Sequence, residues 1–217
     1  MNTVTLRQSD KSVQQVTPSK VVCIGRNYVD HIKELANEMP DEMVVFLKPN
    51  SAISTELFSK HNNDSLHYEA ELSFLYQKGQ FTAVALGLDL TKRDIQSKLK
   101  AKGLPWERAK AFDKSAVFSD FISIEQDDIA QLSLSLSIDE ALKQQGGVDL
   151  MMVKPADILA QLQTFITLEE GDIVMTGTPK GVGVINTSAN FTGQVQLAAQ
   201  DNSIKNNSLL TCQWLAK

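Results

Sequence analysis

The chain has 217 residues, 42% of them hydrophobic, with 21 basic against 26 acidic side chains and a net charge of -5. That length supports one sizeable core and shows no sign of a second, so a single domain over residues 1–217 is expected. The acidic balance, with no Lys/Arg cluster interleaved with aromatics, argues against nucleic acid and anionic membranes as partners and leaves a small polar substrate.

Two cysteines, Cys23 and Cys212, form neither a CxxC nor a disulfide-dense pattern, which fits a reducing, cytoplasmic compartment. The opening residues lack a secretory pattern, and no apolar run approaches the ~20 residues of a membrane span. Lys20-Val-Val-Cys-Ile-Gly25 reads as a buried strand. Asn27 is placed to cap a helix from Tyr28 to about Glu38, stopped by Pro40. His31 and Glu34 fall one turn apart on that helix, and an imidazole sharing a proton with a carboxylate has the parts of a general base. On spacing alone they also read as solvated surface neighbours. Met43 to Leu47 is a second buried strand closed by Lys48-Pro49, and residues 55–65 are a polar loop.

The stretch Leu66-His67-Tyr68-Glu69-Ala70-Glu71-Leu72 alternates apolar and polar residues with a period of two. Glu69 and Glu71 therefore share one strand face, about 7 Å apart, and repel unless a cation lies between them. A hard divalent ion suits such oxygen ligands better than zinc does. A half-buried antiparallel strand with a solvent face fits the same pattern. Leu72 to Tyr76 and Phe81 to Leu86 flank Gln77-Lys78-Gly79-Gln80 as a hairpin, whose return strand brings Asp89 back toward the glutamates.

Thr91 to Asp94 resembles a capping box, with Thr91 as N-cap of a helix to about Lys102 and Gly103 ending it. Asp89, just before that helix, could equally be a cap. Arg93 and Gln96 lie one turn apart near the helix start, where a guanidinium can fork a substrate carboxylate. Lys110 could polarise a carbonyl or hold an enolate. Leu132 to Ile138 is an alternating strand, Gly146-Gly147 a turn, Ala156 to Phe165 a helix, and Ile173 to Met175 a strand entered through the turn Glu169 to Asp172. The run Thr176 to Gly183 matches no nucleotide-binding spacing, but it can offer backbone N–H groups and the Thr176 and Thr178 hydroxyls to an anion. Val184 to Leu215 reads as closing antiparallel strands.

Four blocks in order, Ile24 to Glu34, Leu66 to Leu72, Leu88 to Gln96 continued to Lys110, and Glu170 to Gly183, resemble the fumarylacetoacetate hydrolase family, in particular its compact acylpyruvate hydrolase and oxaloacetate decarboxylase members. The resemblance implies a β-rich α+β fold of mixed, layered sheets, commonly a homodimer. It implies Mg²⁺ or Mn²⁺ on Glu69, Glu71 and Asp89, with His31 and Glu34 as a catalytic dyad on a lid and Lys110 as a substrate-side electrophile. Arg26, Arg93, Gln96, Gly177 and Thr178 are the implied substrate contacts. The implied activity is C–C bond cleavage in small 2-oxo or 2,4-dioxo acids, by acylpyruvate hydrolysis or oxaloacetate decarboxylation. An isomerase or decarboxylase of aromatic-catabolism intermediates and a non-catalytic dicarboxylate binder are the rival readings. The chain departs from the family pattern in joining Glu71 to Asp89 by a tight hairpin where relatives carry a helical excursion.

Overall fold

A computed structural model describes residues 1–35, 38–197 and 208–217. Strands β1 (Val4–Arg7), β2 (Val13–Val16) and β3 (Lys20–Gly25) precede helix α1 (Val29–Glu34) and strand β4 (Val44–Pro49). The short pieces β5 (Ile53–Ser54), β6 (Lys60–His61), β7 (Asp64–Ser65) and β8 (His67–Tyr68) lead to the long pair β9 (Ala70–Gln77) and β10 (Gln80–Asp89). Helices α2 (Arg93–Ala101) and α3 (Glu107–Lys110), strands β11 (Ala116–Phe118) and β12 (Phe121–Ser123), and the hairpin β13 (Leu132–Ile138) and β14 (Ala141–Gly147) follow. Helix α4 (Pro155–Leu162) and strands β15 (Ile173–Met175), β16 (Gly183–Val184), β17 (Asn190–Leu197) and β18 (Ser208–Leu215) complete the order.

A ten-stranded mixed sheet runs β2-β1-β12-β10-β9-β15-β3-β4, with β11 on β10 and β5 on β11, and a second sheet runs β14-β13-β17-β18. This is the α+β, β-rich layered arrangement expected. Leu72, Phe74, Val84 and Leu86 pack toward Leu134, Leu136, Phe191 and Val195 between the sheets, whereas Leu75, Ala83 and Ala85 join Val4, Cys23 and Phe121 in a cluster of their own. The central hairpin is thus buried on both faces, and the half-solvated strand read for 66–72 is corrected. The layers approach closely at Gly193, where an added Cβ would lie 2.0 Å from Leu86 Cδ2.

The β9–β10 turn is the expected one, with Lys78 and Gly79 both at positive φ. Several local expectations fail. Helix α1 ends at Glu34, short of Glu38, and residues 36 and 37 lie outside the described set. Asn27 does not cap it; its amide instead donates to the Val153 and Thr176 carbonyls. Thr91 is not the N-cap of α2 either, since it pairs with His67 as an isolated bridge and Lys92 occupies the cap without a side-chain bond. Strand β4 is an exposed-edged strand in which Leu47 faces outward. Gly146 and Gly147 belong to β14, and the turn falls at Asp139-Glu140, both at positive φ. The loop 55–65 holds the small β6–β7 hairpin.

Candidate active site

Asp89, the last residue of β10, donates its amide to the Glu69 carbonyl at 2.9 Å, and Gly87 stands opposite Glu71 in the ladder. Glu69 falls in the one-residue break between β8 and β9. Carboxylate oxygens of Glu69, Glu71 and Asp89 all lie within 4.8 Å of one another, and all three side chains are buried.

Among the described residues, three cations hold Glu69 and Asp89. Lys110, at the end of α3, reaches Glu69 Oε2 at 2.9 Å, Asp89 Oδ2 at 2.5 Å and the Thr91 hydroxyl at 2.6 Å. Arg93, in the first turn of α2, pairs with Glu69 Oε1 and donates to Gln96 Oε1 at 2.8 Å. Lys48, fully buried near the end of β4, sits 2.8 Å from Asp89 Oδ1 and donates to the Lys110 carbonyl and to Ser115. Among the described residues Glu71 has no such cation, and it accepts the Gly177 amide at 2.7 Å. Burial, with Asp89 and Glu69 beside it, pushes the Glu71 carboxyl well above its ordinary value. Burial also acts upward on Glu69, but Lys110 and Arg93 outweigh it and hold that carboxyl well below.

A hard divalent ion fits this donor set, since three carboxylate oxygens converge in a buried site where burial and like charge act against the ionised form of Glu71. The cleft above them is lined by Arg26, His31, Phe46, Lys100, Trp106 and Thr178, among others. His31 Nδ1 lies 3.2 Å from Glu34 Oε2, and the other Glu34 oxygen accepts the Gly181 amide at 2.9 Å. Helix α1 is therefore docked on the glycine-rich loop by the same carboxylate that orients the imidazole.

Of the site residues expected from sequence, Arg26, His31, Glu69, Glu71, Asp89, Arg93, Gln96, Lys110, Gly177 and Thr178 line one cleft, and Glu34 contacts His31 at its side. Two details differ. The Gly177 amide is given to Glu71 rather than presented to a ligand, and the Thr176 and Thr178 hydroxyls are given to the Leu72 and Ala70 carbonyls. Sequence reasoning missed Lys48, Lys100 and Gln144. Lys48 shares strand parity with Val44 and Phe46, which was the available signal that it points inward. Gln144, buried in β14, bonds the Ala70 amide, the Thr178 hydroxyl and the Pro179 carbonyl, and nothing in its polar surroundings flagged it.

Residues 20–212 match the model of the fumarylacetoacetate hydrolase C-terminal domain. The chain belongs to the fumarylacetoacetate hydrolase family. Among relatives, the oxaloacetate tautomerase YcgM of Escherichia coli is 38% identical over 190 residues, covering 80% of this chain and 87% of that one. A crystal structure of fumarylpyruvate hydrolase from Pseudomonas aeruginosa, in complex with Mn²⁺ and pyruvate, superposes with a TM-score of 0.81 at 30% identity, over 90% of this chain and 92% of that one. A structure from Oleispira antarctica, assigned as a fumarylacetoacetate isomerase/hydrolase, covers both chains fully with a TM-score of 0.89 at 31% identity. The described residues thus share the fumarylacetoacetate hydrolase fold. No helix among the described residues is long and apolar enough to cross a membrane.

Proposed function

We propose that the protein is a divalent-metal-dependent enzyme that makes and quenches an enolate at C3 of small 2-oxo acids. The observation that carries this reading is the convergence of Glu69, Glu71 and Asp89 within 4.8 Å at the floor of a cleft whose wall holds the His31–Glu34 pair. One hard cation, Mg²⁺ or Mn²⁺, held by those carboxylates would supply Lewis acidity for the adjacent keto and carboxylate oxygens of a 2-oxo acid.

The chain's own groups do the rest. With Nδ1 engaged by Glu34, His31 has Nε2 left to take a proton from C3. The electron pair of that C–H bond moves to the C2–C3 bond and the keto oxygen, where the Lys110 ammonium stabilises the charge. Returning the proton to the oxygen gives the enol, so a keto–enol tautomerisation is complete without another reactant. The naming of the Escherichia coli relative as an oxaloacetate tautomerase supports this as the first reaction to test.

A second reading keeps the same residues. His31 with Glu34 would activate water to attack the distal carbonyl of a 2,4-dioxo acid. The C3–C4 bond then breaks, its electrons pass to the pyruvate enolate, and a carboxylate is released. The fumarylpyruvate hydrolase likeness supports that reading, and loss of CO₂ from oxaloacetate would use the same electron sink. Arg93 and Gln96 orient the substrate in either case, and Thr178, its hydroxyl held by Ala70 and Gln144, lines the wall beside it.

The proposal extends to one catalytic domain over 1–217, a cytoplasmic setting and a homodimer. Both cysteines are free thiols, and the edge strand β4 presents exposed Leu47 beside exposed Leu104 and Phe165, in keeping with those two points. Enol loss from oxaloacetate, CO₂ release and acetylpyruvate cleavage, each followed with Mg²⁺, Mn²⁺ or EDTA, test the chemistry. Turnover that EDTA abolishes is expected. A metal-loaded protein that binds oxalate yet turns over none of these acids would be a binder, and the proposal would fail.

A further inference from the structure

The loop from Gly177 to Gly181 touches both halves of the chemistry. At one end the Gly177 amide goes to Glu71 Oε2; at the other the Gly181 amide goes to Glu34 Oε1, while the second Glu34 oxygen faces His31 Nδ1. Where this loop lies therefore bears on how far the imidazole stands from the three carboxylates. Its own residues, Gly-Thr-Pro-Lys-Gly, offer little apolar surface to seat it, so its place has to come from hydrogen bonds and close backbone approach.

Both come from β14, the end strand of the second sheet. Gln144 is 1% exposed; its Oε1 accepts the Ala70 amide at 2.9 Å, and its Nε2 donates to Thr178 Oγ1 at 2.8 Å and to the Pro179 carbonyl at 2.7 Å. The Thr178 hydroxyl closes a ring by donating to the Ala70 carbonyl at 2.9 Å. The orientation of the Gln144 amide has no alternative, because the Ala70 N–H can only donate and the Pro179 carbonyl can only accept. Ala70 and Thr178 are buried as well, so a side chain that breaks the ring leaves a donor or acceptor unpaired in the interior. Beside the ring the backbones meet: a Cβ added at Gly181, which holds a φ of 100°, would lie 1.9 Å from the Lys143 carbonyl oxygen. Ala70 is itself the residue between Glu69 and Glu71. One side chain, from a sheet that carries none of the site residues expected from sequence, thus joins the strand of the glutamates to the loop that holds Glu34.

We infer that Gln144 is a positioning residue for the proton transfer: it ties the loop that fixes Glu34, and through Glu34 the His31 imidazole, to the strand that carries Glu69 and Glu71. This rests on the reading of His31 as the base of a metal-dependent 2-oxo acid site. Gln144 is not among the residues lining the cleft, and it acts through the loop alone.

Gln144→Glu tests it, since the new side chain keeps an oxygen for the Ala70 amide but has at most one proton where the amide gives two. The loop is loosened and the ligand strand stays. In the Mn²⁺-loaded protein, kcat for keto–enol exchange of oxaloacetate should fall roughly tenfold or more, as a small misplacement of a reacting group does. KM and the Mn²⁺ dissociation constant should stay within about twofold of the wild type. In the metal-free protein, NMR should show faster hydrogen exchange at the Gly181 amide and unchanged exchange at Ala70. With Glu34→Ala already cutting the link to His31, Gln144→Glu should lower kcat by less than about twofold more, whereas a general weakening of the fold would be additive. Gly181→Ala reaches the same link from the loop, which its Cβ must push off Lys143, and should lower kcat with Mn²⁺ affinity kept. Gln145→Leu, at the exposed neighbour on β14, should change none of these readings. Full kcat in folded Gln144→Glu, unchanged Gly181 exchange, additive losses with Glu34→Ala, or Mn²⁺ binding that falls in step with kcat would each overturn the assignment while leaving the metal site standing. If Gln144→Glu does not fold, full kcat in Gly181→Ala overturns it instead. Wild-type protein that binds Mn²⁺ and turns over no 2-oxo acid removes the reading beneath, and the positioning role with it.

Discussion

Lys48 keeps its whole ammonium inside the protein, and the contacts that hold it are to oxygens of the cleft floor: Asp89 Oδ1, the Lys110 carbonyl and both oxygens of Ser115. It ties the Asp89 carboxylate, one of the three that converge in the cleft, to the helix end that carries Lys110. Removing one partner of such a buried pair typically costs about 3–5 kcal/mol, because the other charge stays behind unpaired. Lys48→Met should therefore destabilise the metal-free protein by that order in urea unfolding. The loss should shrink in the double variant with Asp89→Asn, and an additive pair would show that Lys48 acts elsewhere. Lys110 makes the opposite case, for its ammonium bridges Glu69 and Asp89 and competes for the oxygens a cation would use. Lys110→Met is expected to bind Mn²⁺ about tenfold or more tightly by calorimetry while kcat falls by more than KM rises. Weaker Mn²⁺ binding would mean that Lys110 supports the ion rather than displaces it. Period two placed Glu69 and Glu71 on one face, the hairpin return brought Asp89 back toward them and helical spacing paired His31 with Glu34, but the roles of these residues came only from the family resemblance, because spacing alone fits solvated side chains equally well. Lys48 was not legible, because a lysine before a proline at a strand end reads as punctuation until the parity with Phe46 is taken seriously.

At the scale of elements, Asp172 shows how a turn residue fastens the sheet on which the site is built. Standing just before β15, it accepts the Ser19 amide and hydroxyl at 3.0 and 2.7 Å, the Lys20 amide at 3.1 Å and the Glu169 amide at 2.9 Å, and it pairs with the Lys20 ammonium. It thereby locks the start of β3 to β15, its parallel neighbour. Burial acts to raise the Asp172 carboxyl, but the bonds from Lys20, Glu169 and Ser19 prevail and hold it below its ordinary value. The folded state thus binds this proton less readily than the unfolded one. The stabilisation is complete above the ordinary carboxylate range, ~4, and is lost as pH falls through the lower folded value. Asp172→Asn should cost about 2–3 kcal/mol at pH 7 and show a smaller loss of urea midpoint between pH 5 and pH 2 than the wild type. Equal acid sensitivity would remove Asp172 from the account. The element bounds were read well where pattern alone decides, as in the Leu-Ser alternation of β13 and the apolar run of β3. Gly146-Gly147 was misread because glycines serve close approach as well as turns: a Cβ at Gly146 would lie 2.8 Å from Pro179 Cβ. That contact seats β14 against the glycine-rich loop, and it depends on residues more than thirty positions apart.

For the molecule as a whole, the two sheets exist to bury one hairpin, and the hairpin buries three carboxylates. The fold therefore carries an electrostatic debt at its centre that Lys48, Lys110 and Arg93 settle for Glu69 and Asp89 but not for Glu71. A carboxyl whose folded pKa is raised costs stability as pH rises above its ordinary range, so the Glu71 carboxyl weakens the metal-free protein there. A cation bound only by the folded state reverses this, adding about 2.7 kcal/mol at a concentration one hundred times its dissociation constant. For a chain of this length that is roughly 5–10 °C in Tm. Glu71→Gln should separate the two effects. It removes the buried negative charge while keeping an amide that can accept the Gly177 N–H, so metal-free Tm at pH 8 should rise above the wild type. It also removes a ligand, so the Mn²⁺-dependent increase should largely vanish, and EDTA should leave the variant's melting curve in place. A variant that melts lower than the wild type without metal, or that keeps the full Mn²⁺ shift, would show that Glu71 is neither the strained member of the cluster nor a ligand.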